Sequence, residues 1–199
     1  MPGALVKAAC RAIALFSSLA TVGIAAPITY LFSGTGSGTI GGATFTNAPY
    51  VIALSGDTNA IDYTWQNLAE WRNAVKGTIQ VKGLRKATIS EPILVTTACG
   101  TARGYIGIER ALGGAPFAAY IFNTQGVSNV DCVLGAAALM TGLTATVSAF
   151  ADVQSTKGPI TLTSSSLVTY QAETCTAKAR ACRKQSVKSS RALLNIGTD

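Results

Sequence analysis

Apolar and polar residues alternate with a period of two along much of this chain, the pattern of strands half-buried in a sheet. Ile28, Tyr30 and Phe32 alternate with Thr29, Leu31 and Ser33. Thr44 to Leu54 is rich in β-branched and aromatic residues, and Pro49 within it predicts a bulge or an edge position. Thr78 to Gly83 alternates cleanly, and Leu84 to Thr97 forms a further strand interrupted at Pro92. Strands are also expected over 105–110, 116–122, 146–153 and 159–170. In the last of these, Ser164 and Ser166 fall in the row of Ile160, Leu162, Val168 and Tyr170, which predicts a bulge or a register near the sheet edge. Two stretches break the period. The segment near 63–75, with Trp65, Leu68, Trp71 and Val75, reads as a short helical or irregular excursion. Leu134 to Ala145 is Ala/Leu-rich and reads as one or two helical turns.

The stretch from Tyr30 to Thr58 organises the rest. Gly34, Gly36, Gly38, Gly41, Gly42 and Gly56 supply the turns and bends by which its two strands fold back on each other. Gly36-Ser-Gly38-Thr-Ile-Gly41 also matches G-x-G-x-x-G, with Asp57 and Asp62 downstream. A dinucleotide site needs a helix to begin at the third glycine, so that its N-terminal amides hold the pyrophosphate. Ala-Thr-Phe-Thr-Asn-Ala-Pro-Tyr-Val-Ile follows instead, a strand-like run, and the hairpin is the reading adopted. Gly-Gly-Ala-x-Phe recurs at 41–45 and 113–117, each time between two expected strands. The match is too short to establish an internal repeat.

Composition then divides the chain. Lys7 and Arg11 precede an apolar run from Ala12 to Ile24, and Gly23-Ile24-Ala25 is a small-residue cleavage site, so 1–25 reads as a secretory signal peptide. The run is short against the ~20 residues of a membrane span. The remaining 174 residues suffice for one domain with a real core. Its Thr, Ser, Gly and Val content predicts an all-β fold, an antiparallel β-sandwich of jelly-roll-like type, over 26–172. Residues 26–170 carry eight Lys/Arg against seven Asp/Glu, whereas 171–199 carry six against two. The basic character of the chain therefore lies mostly in a tail, 173–199, read as solvated and disordered rather than as a specific nucleic-acid binder.

Cys99, Cys132, Cys175 and Cys182 remain after cleavage, and an even number in an exported chain predicts disulfides, with three pairings open. Cys99–Cys132 is the pairing favoured. Cys175 and Cys182 on one continuous helix would stand ~10 Å apart, beyond the ~7 Å limit for a bridge. They pair across a loop or stay free.

The chain has no histidine, which removes the Ser-His-Asp triad, the Cys-His pair and the histidine–zinc site. No P-loop is present. Asp57, Asn59 and Asp62 hint at a calcium loop, but Ile61 and the lack of a following glycine favour a polar turn. Glu70, Glu91, Glu109 and Asp152 would act as a glycosidase pair only if folding made two of them converge. The expectation is a protein with no catalytic residue, no cofactor and no metal. Tyr63, Trp65 and Trp71, with Arg72, form the candidate ligand platform, since aromatic faces with polar tips suit sugar rings. Core packing is the competing use of the same rings.

The run from Ile28 to Ala48, I-T-Y-L-F-S-G-T-G-S-G-T-I-G-G-A-T-F-T-N-A, resembles the opening of exported bacterial proteins of the PEP-CTERM, exosortase-sorted type. Ile79-Gln-Val-Lys-Gly-Leu-Arg-Lys-Ala-Thr-Ile is similar to a strand of that family, and Lys157 to Tyr170 to its closing strand. The resemblance covers residues 1–172 in outline. The family's ending is Pro-Glu-Pro, then a membrane helix and a basic cluster, whereas from Gln171 onward this sequence has no such triad and no apolar span. The resemblance implies a secreted or cell-envelope location and no activity. The sequence thus predicts a secreted, non-enzymatic envelope or extracellular-matrix protein with no membrane span after cleavage. The alternative is a polysaccharide-binding module, with extracellular polysaccharide or other envelope components as partners.

Overall fold

The computed structural model describes residues 26–63, 70–98, 104–111, 119–127, 134–147 and 150–174. Among them, eleven strands follow one another: β1 (Pro27–Ile40), β2 (Ala43–Asp57), β3 (Ile61–Asp62), β4 (Glu70–Val81), β5 (Ala87–Thr88) and β6 (Ile93–Ala98). Then come β7 (Gly104–Arg110), β8 (Ala119–Val127), β9 (Ala138–Thr146), β10 (Ile160–Ser165) and β11 (Val168–Thr174). The all-β antiparallel architecture expected from the alternation is the one found. The pairings β1–β2–β4–β6–β7–β8–β9–β11 return to β1, so the sheet curls on itself and encloses the core as a sandwich does. β4 makes one corner: Glu70–Val75 pairs with β6, and Lys76–Val81 pairs with β2. β9 makes another, with Ala138–Leu143 against β11 and Thr144–Thr146 against β8.

β1 and β2 form the long hairpin, paired from Pro27↔Asp57 to Ile40↔Ala43. Only Gly41 and Gly42 make its turn, at φ 57° and 84°, where a Cβ would be strained. Gly36 and Gly38 lie inside β1 for a different reason. A Cβ on Gly36 would stand 2.5 Å from the Ser164 carbonyl oxygen and 3.2 Å from the Tyr50 ring, and one on Gly38 would collide with the Thr161 carbonyl. Their bareness lets β10 approach the second half of β1, while β11 takes the first half. The strand continues directly after Gly42, so no helix N-terminus stands over the G-x-G-x-x-G string.

Both interruptions of the period resolve as strand where they are described. Glu70–Val75 is extended, not helical, because Asn73, Val75, Gly77, Ile79 and Val81 form one buried row of β4. Ala138–Thr146 is strand too, its inward residues Met140 and Leu143 packing on the core despite good helix propensity. Among the described residues of the strand expected over 146–153, only the two ends pair: β9 ends at Thr146, and Val153 makes an isolated bridge to Ile160. The predicted bulge in the last strand is present as a register shift beside Ser164. β11 runs to Thr174, two residues beyond the expected domain limit.

Aromatic rings of β1, β8 and β11, with Phe150, fill the centre. Phe32 meets Phe122 edge-on at 5.4 Å and Tyr170 at 5.2 Å, and Phe122 meets Phe150 at 6.5 Å. Such pairs add about 0.5–1.5 kcal/mol each beyond the area they bury. Tyr50 closes the lower part, its ring beside Gly34 and Gly36 and its hydroxyl 2.6 Å from Ser165 Oγ.

Candidate functional site: an aromatic rim above buried polar groups

β3 pairs with β4 through Ile61↔Asn73 and Asp62↔Arg72, which brings Tyr63 level with Trp71. Their rings meet edge to face, 4.9 Å apart at 80°. Tyr63 is 40% exposed, whereas Trp71 is half-buried against the core. Alternation along β4 then puts Asn73 two residues inward on the same face as Trp71.

Asn73 is fully buried. Its Nδ2 donates to the Tyr30 hydroxyl at 2.7 Å, and that hydroxyl donates to the Leu134 carbonyl at 2.7 Å. Because the carbonyl can only accept, the phenol is its donor and must receive its other bond from the amide nitrogen. This fixes the orientation of Asn73 and leaves Oδ1 without a hydrogen-bond partner. Tyr170 stacks beside Tyr30 at 6.5 Å and 22°, and its buried hydroxyl likewise has none. The Tyr63 hydroxyl closes the group at the adjacent turn, 3.8 Å from where a Cβ on Gly135 would stand. Burial pushes the Tyr30 phenol up to about 12, opposed by the Asn73 hydrogen bond and reinforced by Tyr63. Tyr170 is raised further, by burial first and by Tyr30 second.

Arg72 does not join this rim. It points to the other face of β4, where its Nη2 lies 3.1 Å from Glu70 Oε2 and its Nε 3.5 Å from Glu109 Oε2. Tyr105 donates its hydroxyl to Glu70 Oε1, brought there by the row Glu70–Ala98–Tyr105 across β4, β6 and β7. Glu109 is fully buried and the Arg72 side chain is 10% exposed. Of the four carboxylates considered, Glu70 and Glu109 therefore converge, but the guanidinium bridges the gap in which a glycosidase holds sugar and water. Glu91 is engaged by Arg110 at 2.8 Å, and Asp152 is exposed. Asp57 accepts from the Asn59 amide at 2.8 Å and caps a short 3-10 turn, Thr58–Ala60, the polar turn expected there.

Among the described residues, no cluster of three potential metal ligands occurs, and no helix is long and apolar enough to cross a membrane. Trp65, Cys99, Cys132, Cys175 and Cys182 lie outside the described residues, as do 1–25 and 175–199. Sequence reasoning missed Tyr30, Asn73 and Tyr170 as a group. The available signal was a single amide in the inward row of β4, hidden while that stretch read as a helix or excursion. Compared with known proteins, the chain matches no family model, no curated protein and no solved structure.

Proposed function

We propose that this protein is an exported, non-enzymatic β-sandwich component of the cell envelope or extracellular matrix. The observation that carries the reading is the relation of the fold to the apolar leader. Ala26, the first residue after the expected cleavage point, is tied to Thr58 by two hydrogen bonds, and β1 begins at Pro27. Cleavage before Ala26 removes the leader and leaves every pairing of β1 intact. The resemblance to exosortase-sorted proteins supports the same location. Expression in a bacterial host with the leader, followed by intact-mass measurement of the envelope and medium fractions, tests it. A species beginning at Ala26, with a mass shift on reduction matching two disulfides, is expected. A full-length, fully reduced species held in the cytoplasm would refute export.

A second reading, contact with extracellular polysaccharide, is favoured by the exposed Tyr63 ring standing on Trp71. An aromatic pair of this kind offers an apolar face with a polar tip to a sugar ring. Tyr63→Ala is expected to weaken retention on polysaccharide-affinity gels by roughly tenfold, a loss of about 1.4 kcal/mol, with the fold unchanged.

A further inference from the structure

We propose that the outer face of β1 and β2 is a docking surface for the chain's own C-terminal tail, which is seated there by its apolar end, Ala192-Leu-Leu-Asn-Ile196. Three observations support it.

First, an apolar patch is buried on the outer side of the sheet. Leu31 and Val51 alternate with the inward Tyr30, Phe32, Tyr50 and Ile52, and neither belongs to the core cluster. Both are nonetheless covered, at 0% and 2% exposure. Register sets Ala53 and Gln171 on either side of Leu31, and Ser33 and Gln80 on either side of Val51. Alanine and serine are too short to roof a leucine or a valine, and both glutamines are tethered elsewhere. Gln171 donates to Glu173 at 2.7 Å, and Gln80 donates to the Val81 and Leu84 carbonyls. Leu139, across Gln171 from Leu31 on the same face, is 66% exposed, as a bare sheet face leaves its side chains. Something therefore lies over Leu31 and Val51. Among the described residues, the strands join the curled sheet edge to edge, and the loop over 150–158 is bonded to β5 and β10.

Second, the tail originates beside this patch. β11 pairs with β1 as far as Ile28↔Thr174, and the next position on β1 is Pro27, which has no N–H with which to extend the ladder. The ladder thus ends three residues from Gln171, a span of ~10 Å. Glu173 stands on the outward row between that end and Leu31, a carboxylate beside the start of a cationic segment.

Third, the tail has the residues to fill the role. Residues 175–191 carry six Lys/Arg and no acid, the composition of a solvated segment, whereas Leu193, Leu194 and Ile196 follow close together. Burial on an apolar patch removes those three side chains from water. The choice of the tail over the leader, 1–25, rests on the export reading, by which the leader is removed.

Photo-crosslinking of the full exported chain tests the docking. Gln171 is replaced by p-benzoylphenylalanine in one sample, and Thr156, exposed near the hairpin tip, in another. Trypsin cleavage after Arg191 releases 192–199 for mass measurement. The Gln171 probe is expected to capture 192–199 of its own chain roughly tenfold more than the Thr156 probe does. Combining Leu193→Ser, Leu194→Ser and Ile196→Ser is expected to abolish that capture while the circular dichroism spectrum stays unchanged. Equal capture by the two probes would show a tail that samples the surface at random, and would overturn the docking. Capture only within 26–174, only of 175–191, of a second chain, or of nothing would overturn it as well. In each of those cases a mature chain beginning at Ala26 leaves the export reading standing. Capture of 1–25 in a chain that keeps its leader would overturn both.

Discussion

Gly41 and Gly42 adjoin each other at the tip of the β1–β2 hairpin, and they are glycines for unequal reasons. Both hold positive φ. Around Gly42 a Cβ would meet open space, so Gly42→Ala suffers the left-handed backbone alone, about 1–2 kcal/mol. At Gly41 a Cβ would strike the Lys157 carbonyl, and its amide donates to Pro159 at 2.9 Å. Gly41→Ala therefore displaces the 157–159 turn and is expected to cost at least about 3 kcal/mol. Urea denaturation of the two variants separates the effects; equal losses would show that the Gly41–Lys157 contact contributes nothing. The same distinction applies within β1, where Gly36 and Gly38 serve approach by β10 rather than turning. Sequence alone groups these glycines together, because the carbonyls that single out Gly36, Gly38 and Gly41 belong to Ser164, Thr161 and Lys157, more than a hundred residues away.

At the scale of elements, β4 carries the most consequence, since its two faces have separate duties. One face runs Trp71, Asn73, Val75, Ile79 and Val81 into the core; the other holds Glu70 and Arg72 against β7. Removing the cation of a buried pair leaves an uncompensated charge, so Arg72→Met is expected to destabilise by about 3–5 kcal/mol. Replacing Glu70, Arg72 and Glu109 together by apolar residues of similar volume is expected to recover most of that loss. Denaturant midpoints for the single and triple variants decide it, and a triple variant no more stable than Arg72→Met would show that the charges themselves are required. Deeper in the wall, Phe122→Ala removes a ring in contact with both Phe32 and Phe150 and is expected to cost about 3–5 kcal/mol. The strand character of β4 was only partly legible. Thr78 to Val81 alternates openly, whereas Trp71, Arg72 and Asn73 present an aromatic, a cation and an amide in succession, which conceals the period.

At the scale of the whole molecule, closure of the curled sheet buries Tyr30, Tyr50 and Tyr170 together. Burial raises all three phenols above the usual value of 10, Tyr30 and Tyr50 to about 12. The folded state thus holds these protons more tightly than the unfolded chain does. Their stabilising contribution is complete below pH 10 and is lost as the pH climbs toward about 12. Alkaline titration followed by phenolate absorbance and near-ultraviolet circular dichroism is expected to show these three tyrosines ionising only as the fold is lost. Smooth ionisation of all six tyrosines in an intact fold would contradict this burial. What the sequence determined by itself was the class of fold, the long hairpin and the absence of histidine-dependent chemistry, because periodicity, turn residues and composition are local properties of the chain. What only the tertiary structure decided was which faces meet. It turned Arg72 away from Trp71, brought Glu70 and Glu109 to one guanidinium, and set Asn73 beside Tyr30 and Tyr170, residues 43 and 97 positions from Asn73. Those juxtapositions depend on strand register and on closure of the ring, where a shift of one residue reverses every side chain, and neither is encoded within any single stretch.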